Sequence, residues 1–455
     1  MPDIDKPGIS LHEWSHYKRL YELCLTDRKF AEAFAEGAPV PEGLHISWPE
    51  EARDAIIFSI NHPVDPDPKL DTNPYIIEFR RRYLVATKYL HEQEDGLTYN
   101  DTRLGKWNRA VENRVRLENY QLSRSENLRY IPITFEMSDG CKQNCPFCAV
   151  SAPRWKSDFL YTEENARLWK GVLKAAKEII GTMALKGACY FGTEPLDNPD
   201  YEKFLIDFRD ILGDIPQTTT VAADIYPDRI RSLMKLAGDR VASAAFRFSI
   251  RSLAQRDRMF RIFSPEEMAD VELMTNNPES FSAYSTAGRE RGKKLPEGKR
   301  GINYSISCIA GYRVNMARGD VELTEPEIPE DKYPDGICVL GRRSFRTAEE
   351  FAEALRDLSA TYIHDEMPED LPLFFNKYMS YERDGNMITL KADCRLAHMS
   401  GDRFMFAALE MLEKHPTFRE ICAAQGLGDF AATGLRQKFR NLYHRGYIRY
   451  EKPEG

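Results

Sequence analysis

Apolar side chains recur at helical intervals from residue 11 to residue 34, where Trp14, Tyr17, Leu20, Tyr21, Cys24 and Leu25 share one stripe. A Pro-rich stretch, residues 62–74, breaks the pattern as a loop, and residues 75–90 resume a helix. Arg80, Arg81 and Arg82 on that helix are expected to form a solvated face. From residue 126 the period changes. Ile131, Ile133, Phe135 and Met137 alternate as a first strand. Thr162 is placed to cap a helix reaching about Gly181, with Leu168, Val172, Ala175 and Ile179 on one face. Further strands are expected at residues 188–191, 218–223, 245–251, 302–309 and 336–340. Helices are expected at 201–212, 229–237 and 348–358. Repeated β–α units imply a parallel sheet with helices outside it.

Two polar stretches, residues 263–300 and 322–335, read as loops between strands, placed either to wall a site or simply to link. From about Tyr378 the texture changes again. Two strand-like runs flank the turn at Asp384, Gly385 and Asn386, and helices follow at 403–414, 417–425 and 431–445. Residues 447–450 make a last strand, which completes a winged-helix pattern. The chain therefore divides into a helical N-terminal extension (1–125), an α/β unit (126–377) and a winged-helix-like unit (378–455).

A chain of 455 residues fits two or three domains. Its net charge of −8 argues against a dedicated nucleic-acid binder. No apolar run approaches the length of a membrane span, and the N-terminus has no signal-peptide core. The nine cysteines form no disulfide framework, so a reducing cytoplasm is expected.

Three of those cysteines carry the chemistry. Cys141, Cys145 and Cys148 follow the first strand at C-x3-C-x2-C spacing, on a loop that holds glycine and asparagine. Three thiolates so close can converge on one soft metal centre. A structural zinc site usually takes four ligands, and no other cysteine pair here has the C-x2-C spacing of a second half. Three ligands leave one iron of a 4Fe-4S cluster open to a small chelating ligand.

This motif after a strand resembles the signature of radical S-adenosylmethionine (SAM) enzymes. The resemblance implies a partial (β/α)6 barrel with its chemistry at the C-terminal strand ends. It implies SAM bound through its amine and carboxylate to the open iron, and cleavage of SAM to a 5′-deoxyadenosyl radical. It also implies an external one-electron donor such as flavodoxin or ferredoxin. Phe147 occupies the family position near the adenine. Gly192, Thr193, Glu194 and Pro195 resemble the family's G-G-E-P motif, which binds the SAM amine; threonine stands here in place of the second glycine. Ser249 matches the position that hydrogen-bonds the ribose, and Arg251 is a candidate for the SAM carboxylate.

The other cysteines, Cys24, Cys189, Cys308, Cys338, Cys394 and Cys422, do not supply an auxiliary-cluster domain. A redox-neutral outcome is then the natural one. Over most of its length the chain resembles the proteusin-type radical SAM peptide epimerases, on F-E-M-S-D-G-C, on Y-F-G-T-E-P-L-D-N-P, and on a C-terminal unit similar to PqqD-like leader-recognition domains. Such enzymes take Hα from an L-residue of a ribosomal precursor peptide, and a cysteine thiol returns hydrogen from the opposite face. Such recognition domains bind a leader peptide by adding it as a strand. Cys338 is the first candidate donor, because it is expected to end the sixth strand at the barrel mouth. Cys308 is second; Cys394 would have to reach back from the C-terminal unit, and a tyrosine remains open. Cys24, Cys189 and Cys422 lie among apolar neighbours as packing groups. Two other functions compete: cross-linking or backbone excision in a precursor peptide, and metal-sensing transcriptional regulation through Arg436, Lys438, Arg440 and Arg445 on the last helix.

Overall fold

The alternation after residue 130 becomes strand β1 (Ile131–Glu136), in which Ile133 and Phe135 are wholly buried on one face. Phe135 meets Trp169 edge-on, with 4.9 Å between ring centroids, under the helix Glu163–Ile180. Thr134 and Glu136 point to the inner face. The computed structural model describes residues 8–48, 52–61, 73–82, 85, 96–118, 130–238, 245–295, 297, 301–305, 307–392 and 395–452. Parts of the expected 62–74 loop and 75–90 helix lie outside them, as does Cys394.

After β1 come β2 (Ser138–Asp139), β3 (Ser157–Asp158), β4 (Thr218–Thr220), β5 (Phe246–Ile250), β6 (Glu272–Thr275), β7 (Tyr284–Ser285), β8 (Gly301–Ile302), β9 (Ile309–Asn315), β10 (Asp320–Pro326) and β11 (Ile337–Ser344). One sheet has the order β1-β9-β10-β11, with β1 and β9 parallel and the next two strands antiparallel. On the other side of β1, Thr134 bridges Ala188 in parallel. A second sheet, β4-β5-β6, is parallel throughout. No sheet closes into a barrel among the described residues. No described helix is long and apolar enough to cross a membrane.

Several expectations shift here. Residues 188–191 make only a bridge at Ala188, and the Thr134 hydroxyl donates toward the carbonyls of Ala188 (3.1 Å) and Tyr190 (2.6 Å). The fifth strand starts at Ile309 rather than near residue 302, and the stretch 263–300 contains β6, a full parallel partner of β5. The acidic stretch from residue 322 is no loop at its start. It belongs to β10, with Val321 and Leu323 buried on one face and Glu322 on the other, between Arg313 and Arg342. Arg81 and Arg82 are not a solvated face either: both pair with Glu78, which is buried, and Arg82 also reaches Asp270.

The N-terminal helix Leu11–Thr26 opens with a Ser10–Glu13 capping box. Trp14 Nε1 donates to the carbonyl of Ala269 at 3.0 Å, and buried Arg19 donates to the carbonyls of Phe260 (3.1 Å) and Phe263 (2.7 Å). The extension is thereby fastened to the α/β unit.

The C-terminal unit has its own core, which includes Ile388, Leu390, Leu409, Phe418, Leu435 and Phe439. Strands β12 (Leu373–Phe375), β13 (Ser380–Asp384), β14 (Met387–Ala392), β15 (Arg395–Ser400) and β16 (Ile448–Tyr450) form two sheets, β12-β16 and β13-β14-β15. Helices Arg403–Met411, Phe418–Ala424 and Asp429–His444 cover them. Met367 and Leu373 belong to this core, so it begins before residue 378. β15 is a strand the periodicity missed, since its Leu396, His398 and Ser400 are all exposed.

The units meet at a buried charge cluster. Arg114 and Glu118 of the helix Thr102–Glu118 join Glu325, Glu327, Arg449 and Lys452. None of these side chains is more than 13% exposed. Burial alone would raise the Glu327 pKa, but Arg114, Arg449 and Lys452 hold it well below the usual carboxylate range.

Candidate metal centre and cofactor site

The cysteine loop leaves β1 through Gly140, whose φ of +84° brings it so close to the 154 backbone that a Cβ would sit 2.3 Å from the Arg154 carbonyl. Cys141 N–H donates to Pro153 O at 2.9 Å, and Cys148 N–H to Cys145 O at 3.3 Å. Asn144 adopts φ +47°, and the main-chain N–H groups of Gln143 and Asn144 turn toward the Cys141 sulfur. Such a nest of amides favours a negatively charged sulfur. Ala152 N–H points at Cys148 Sγ at 3.4 Å. All three cysteines are half-buried and unbridged.

Burial pushes the Cys145 thiol up to about 11; Arg251 offsets part of this, and Cys141, Cys148 and Glu194 add to it. The Cys145 thiol, with two other sulfurs in electrostatic range, resists ionising unless a cation joins it. The donor set therefore fits a soft metal cluster, which would relieve that repulsion, and amide donors to sulfur are the usual support of an iron–sulfur centre.

A second loop braces the first. Arg289 donates its main-chain N–H to Cys148 O at 3.0 Å, and its guanidinium to Cys145 O at 2.8 Å and Ala152 O at 2.5 Å. Gly288 permits this approach, since a Cβ there would stand 2.3 Å from Ala149 O. In the sequence Arg289 only opens a basic run to Lys294; its partners are main-chain carbonyls over 130 positions away.

Glu194 is 5% exposed and faces the end of β4: Thr220 Oγ1 donates to it at 2.5 Å and Val221 N–H at 2.8 Å. Burial raises its pKa to about 7, against the pull of those donors. Gly192 donates its N–H to Glu136 Oε1 at 2.7 Å, and Asn315 holds the other oxygen at 3.3 Å. Gly192 and Thr193 both keep ordinary negative φ, so the threonine is accommodated without strain. Glu136 was legible as the one acid closing an apolar strand.

Arg251 Nη1 donates to Gln143 Oε1 at 3.3 Å, and Gln143 Nε2 to both oxygens of Asp197, at 2.9 and 3.1 Å. This chain ties the end of β5, the cysteine loop and the turn after Glu194 together. Ser249 shares the inner face of β5 with Arg247, while Phe246, Phe248 and Ile250 pack outward. Phe147 is half-buried between Cys145 and Cys148.

Cys338 stands elsewhere. β11 starts at Ile337, so Cys338 opens that strand instead of ending it. It pairs with Glu325, near the end of the sheet where Ile131 pairs with Ile309; Glu136, which leads to the cysteine loop, pairs with Asn315 at the other end. Its face is wrong too. Glu325 looks toward Arg114 on the outer helix, and the Cys338 thiol meets the Tyr333 hydroxyl within the core. The expectation that Cys338 ends its strand is therefore corrected.

Cys308 is exposed at its own surface, although protein surrounds it at longer range and raises its pKa, with Arg247 partly offsetting. Its neighbours Arg247 and Tyr190 belong to the inner face. Arg247 and Arg251 are four residues apart on that face, about 13 Å along the strand. The first lies toward Cys308, the second toward Cys145.

Another group of metal-ligating type, His12, His16 and Glu266, lies on the N-terminal helix and the loop it docks. Ser47 donates its N–H to His16 Nδ1 at 2.8 Å, which leaves the proton on Nε2, 3.5 Å from Glu266. Nε2 thus donates to the carboxylate and is not free to ligate.

The "Uncharacterized protein y4wI" of Sinorhizobium fredii (strain NBRC 101917 / NGR234) is 31% identical over 386 residues, covering 81% of this chain and 74% of the relative. No family model and no solved structure matches the chain.

Proposed function

Since the chain belongs to the same family as y4wI of Sinorhizobium fredii, we propose for it an activity drawn from its own residues: that of a radical SAM enzyme converting L- to D-amino acids in a ribosomal precursor peptide. The observation that carries this is the convergence on one loop of Cys141, Cys145 and Cys148, with Glu194 and Arg251 within electrostatic range of Cys145. Parallel pairing of β1 with both Ala188 and β9, and of β4, β5 and β6 with one another, favours a partial (β/α)6 arrangement.

In this reading Cys141, Cys145 and Cys148 hold a 4Fe-4S cluster. Glu194 and the carbonyls of Gly192 and Thr193 hold the amine of SAM, Arg251 its carboxylate, Ser249 its ribose and Phe147 its adenine. When bound, the two groups supply a 5′-deoxyadenosyl radical able to take Hα from a peptide residue. Glu136 holds Gly192, and the Arg251–Gln143–Asp197 chain keeps the two loops in register. Cys308 stands at the same end of the sheet as Cys338 but beside Arg247 and Tyr190 of the inner face, and in this reading it takes the donor role. It lies at the far end of the sheet from the cysteine loop, where its carbonyl accepts the N–H of Ile131. The outer strands β13 and β15 offer an edge to the leader peptide. An oxygen-sensitive cluster is consistent with a cytoplasmic protein.

The test is reaction of the anaerobically reconstituted protein with a precursor peptide in heavy water. Epimerisation adds one deuterium at Cα and leaves the mass unchanged in ordinary water. Loss of two hydrogens would replace this reading with cross-linking, and deoxyadenosine formation without deuterium at Cα would end it.

A further inference from the structure

The cysteine loop presents a cationic outer surface on a chain of net charge −8. Residues 141–157 contain no acid at all, and Lys142, Arg154 and Lys156 are exposed there. In residues 288–295, Lys293 and Lys294 are exposed, while the single acid, Glu290, is 11% exposed and paired with Lys293 at 3.3 Å. Arg289 fastens the two stretches into one surface, and Lys293 Nζ lies 3.4 Å from Pro146 O.

The acids that meet these cations stand behind them. Lys142 pairs with Asp158 at 3.0 Å and Lys156 with Asp139 at 3.3 Å, and both carboxylates are only 10% exposed. Asp331, fully exposed, pairs at 2.5 Å with Arg291 of the second stretch, and the exposed Lys142, Arg154, Lys156, Lys293 and Lys294 leave the outward face positive in balance. At the centre Trp155 is 41% exposed, its ring faced by Lys142 Nζ at 4.6 Å and its indole N–H held by Asp158 at 2.9 Å.

We propose that this surface docks an acidic one-electron carrier protein, of flavin or iron–sulfur type, over the cysteine loop; the inference rests on the iron–sulfur reading of that loop. A fixed aromatic ring within a cationic rim suits the small, transient interfaces of electron transfer, below about 1,200 Å². Charge complementarity then supplies the encounter rate. A nucleic acid would call for a longer track of cations and a basic domain. The carrier's reduced centre loses one electron and the cluster gains it. No bond is made or broken in that step, and no proton moves.

The experiment uses anaerobically reconstituted full-length protein and a purified bacterial flavodoxin. Affinity is measured by calorimetry at low and high salt, and cluster reduction is followed with flavodoxin hydroquinone or with dithionite. Lys156→Glu combined with Lys294→Glu is expected to weaken flavodoxin binding roughly tenfold and slow reduction by flavodoxin to match. Iron content and reduction by dithionite should stay unchanged. Lys174→Glu, on the outer helix Glu163–Ile180, should change neither. Iron-loaded protein whose flavodoxin affinity ignores the double substitution overturns the docking surface alone. So does a double variant that loses binding of a single-stranded oligonucleotide and keeps flavodoxin. Wild-type protein that takes up no iron overturns the cluster and the docking surface together.

Discussion

Gly192 gives its main-chain N–H to Glu136 at 2.7 Å, so the turn before Glu194 is held from β1 rather than from its own loop. Glu136 stands on the strand that leads into the cysteine loop, and one carboxylate thereby spaces the two halves of the site.

Removing that carboxylate should loosen the SAM site without unloading iron. A hydrogen bond to a charged acceptor contributes about 1.5–3 kcal/mol, so Glu136→Ala should weaken SAM binding roughly tenfold or more. Glu136→Gln, which keeps an acceptor, should lose much less. Calorimetric titration of the iron-loaded protein with SAM checks both.

Arg289 should matter to iron rather than to the fold at large. Arg289→Ala forfeits the bonds to Cys145 O and Ala152 O, and the cysteine loop should then hold well under half the wild-type iron after equal reconstitution. Arg289→Lys should recover part of it. Iron per chain, set beside an apo-protein melting temperature lowered by only a few degrees, is the measurement.

The two candidate thiols should separate cleanly. Cys308→Ala should abolish deuterium return at Cα while deoxyadenosine continues to form. Cys338→Ala should epimerise normally and cost only about 1 kcal/mol of stability, as a small core truncation does. Normal deuterium incorporation by Cys308→Ala would return the question to the tyrosines and to Cys394.

Glu194 sets a pH dependence. Burial raises its pKa from an ordinary 4.5 to about 7, so the fold favours the protonated form, and its contribution to stability is lost as pH rises through about 7. An ammonium partner requires the carboxylate. SAM affinity should therefore climb as pH passes through about 7, while stability without SAM falls. Glu194→Gln should bind weakly and show neither slope; binding and thermal melts across pH 5.5 to about 8.5 test it.

The cysteine motif and the glutamate four positions before Asn198 were legible because each is local, a short run at the end of a strand. The extent of β11 was not. The stretch from residue 322 reads as an acidic loop until its partners are known, and those partners, Arg313, Arg342, Arg114 and Lys452, come from four other parts of the chain. The same long-range register decided the thiols. The expected sixth strand stopped at residue 340, whereas β11 continues to Ser344, and that shortened end is how Cys338 was expected at the mouth.

The six-charge junction among Arg114, Glu118, Glu325, Glu327, Arg449 and Lys452 bears on how the protein can be dissected. A gene shortened to omit the last strand would delete Arg449 and Lys452 and leave three glutamates facing a single arginine, two negative charges stranded away from water. Stripping one partner from such a site costs about 3–5 kcal/mol. Expressing the α/β unit by itself should then yield aggregated material. Testing the proposed division between recognition and catalysis will need point substitutions on the outer strands, made in the uncut polypeptide.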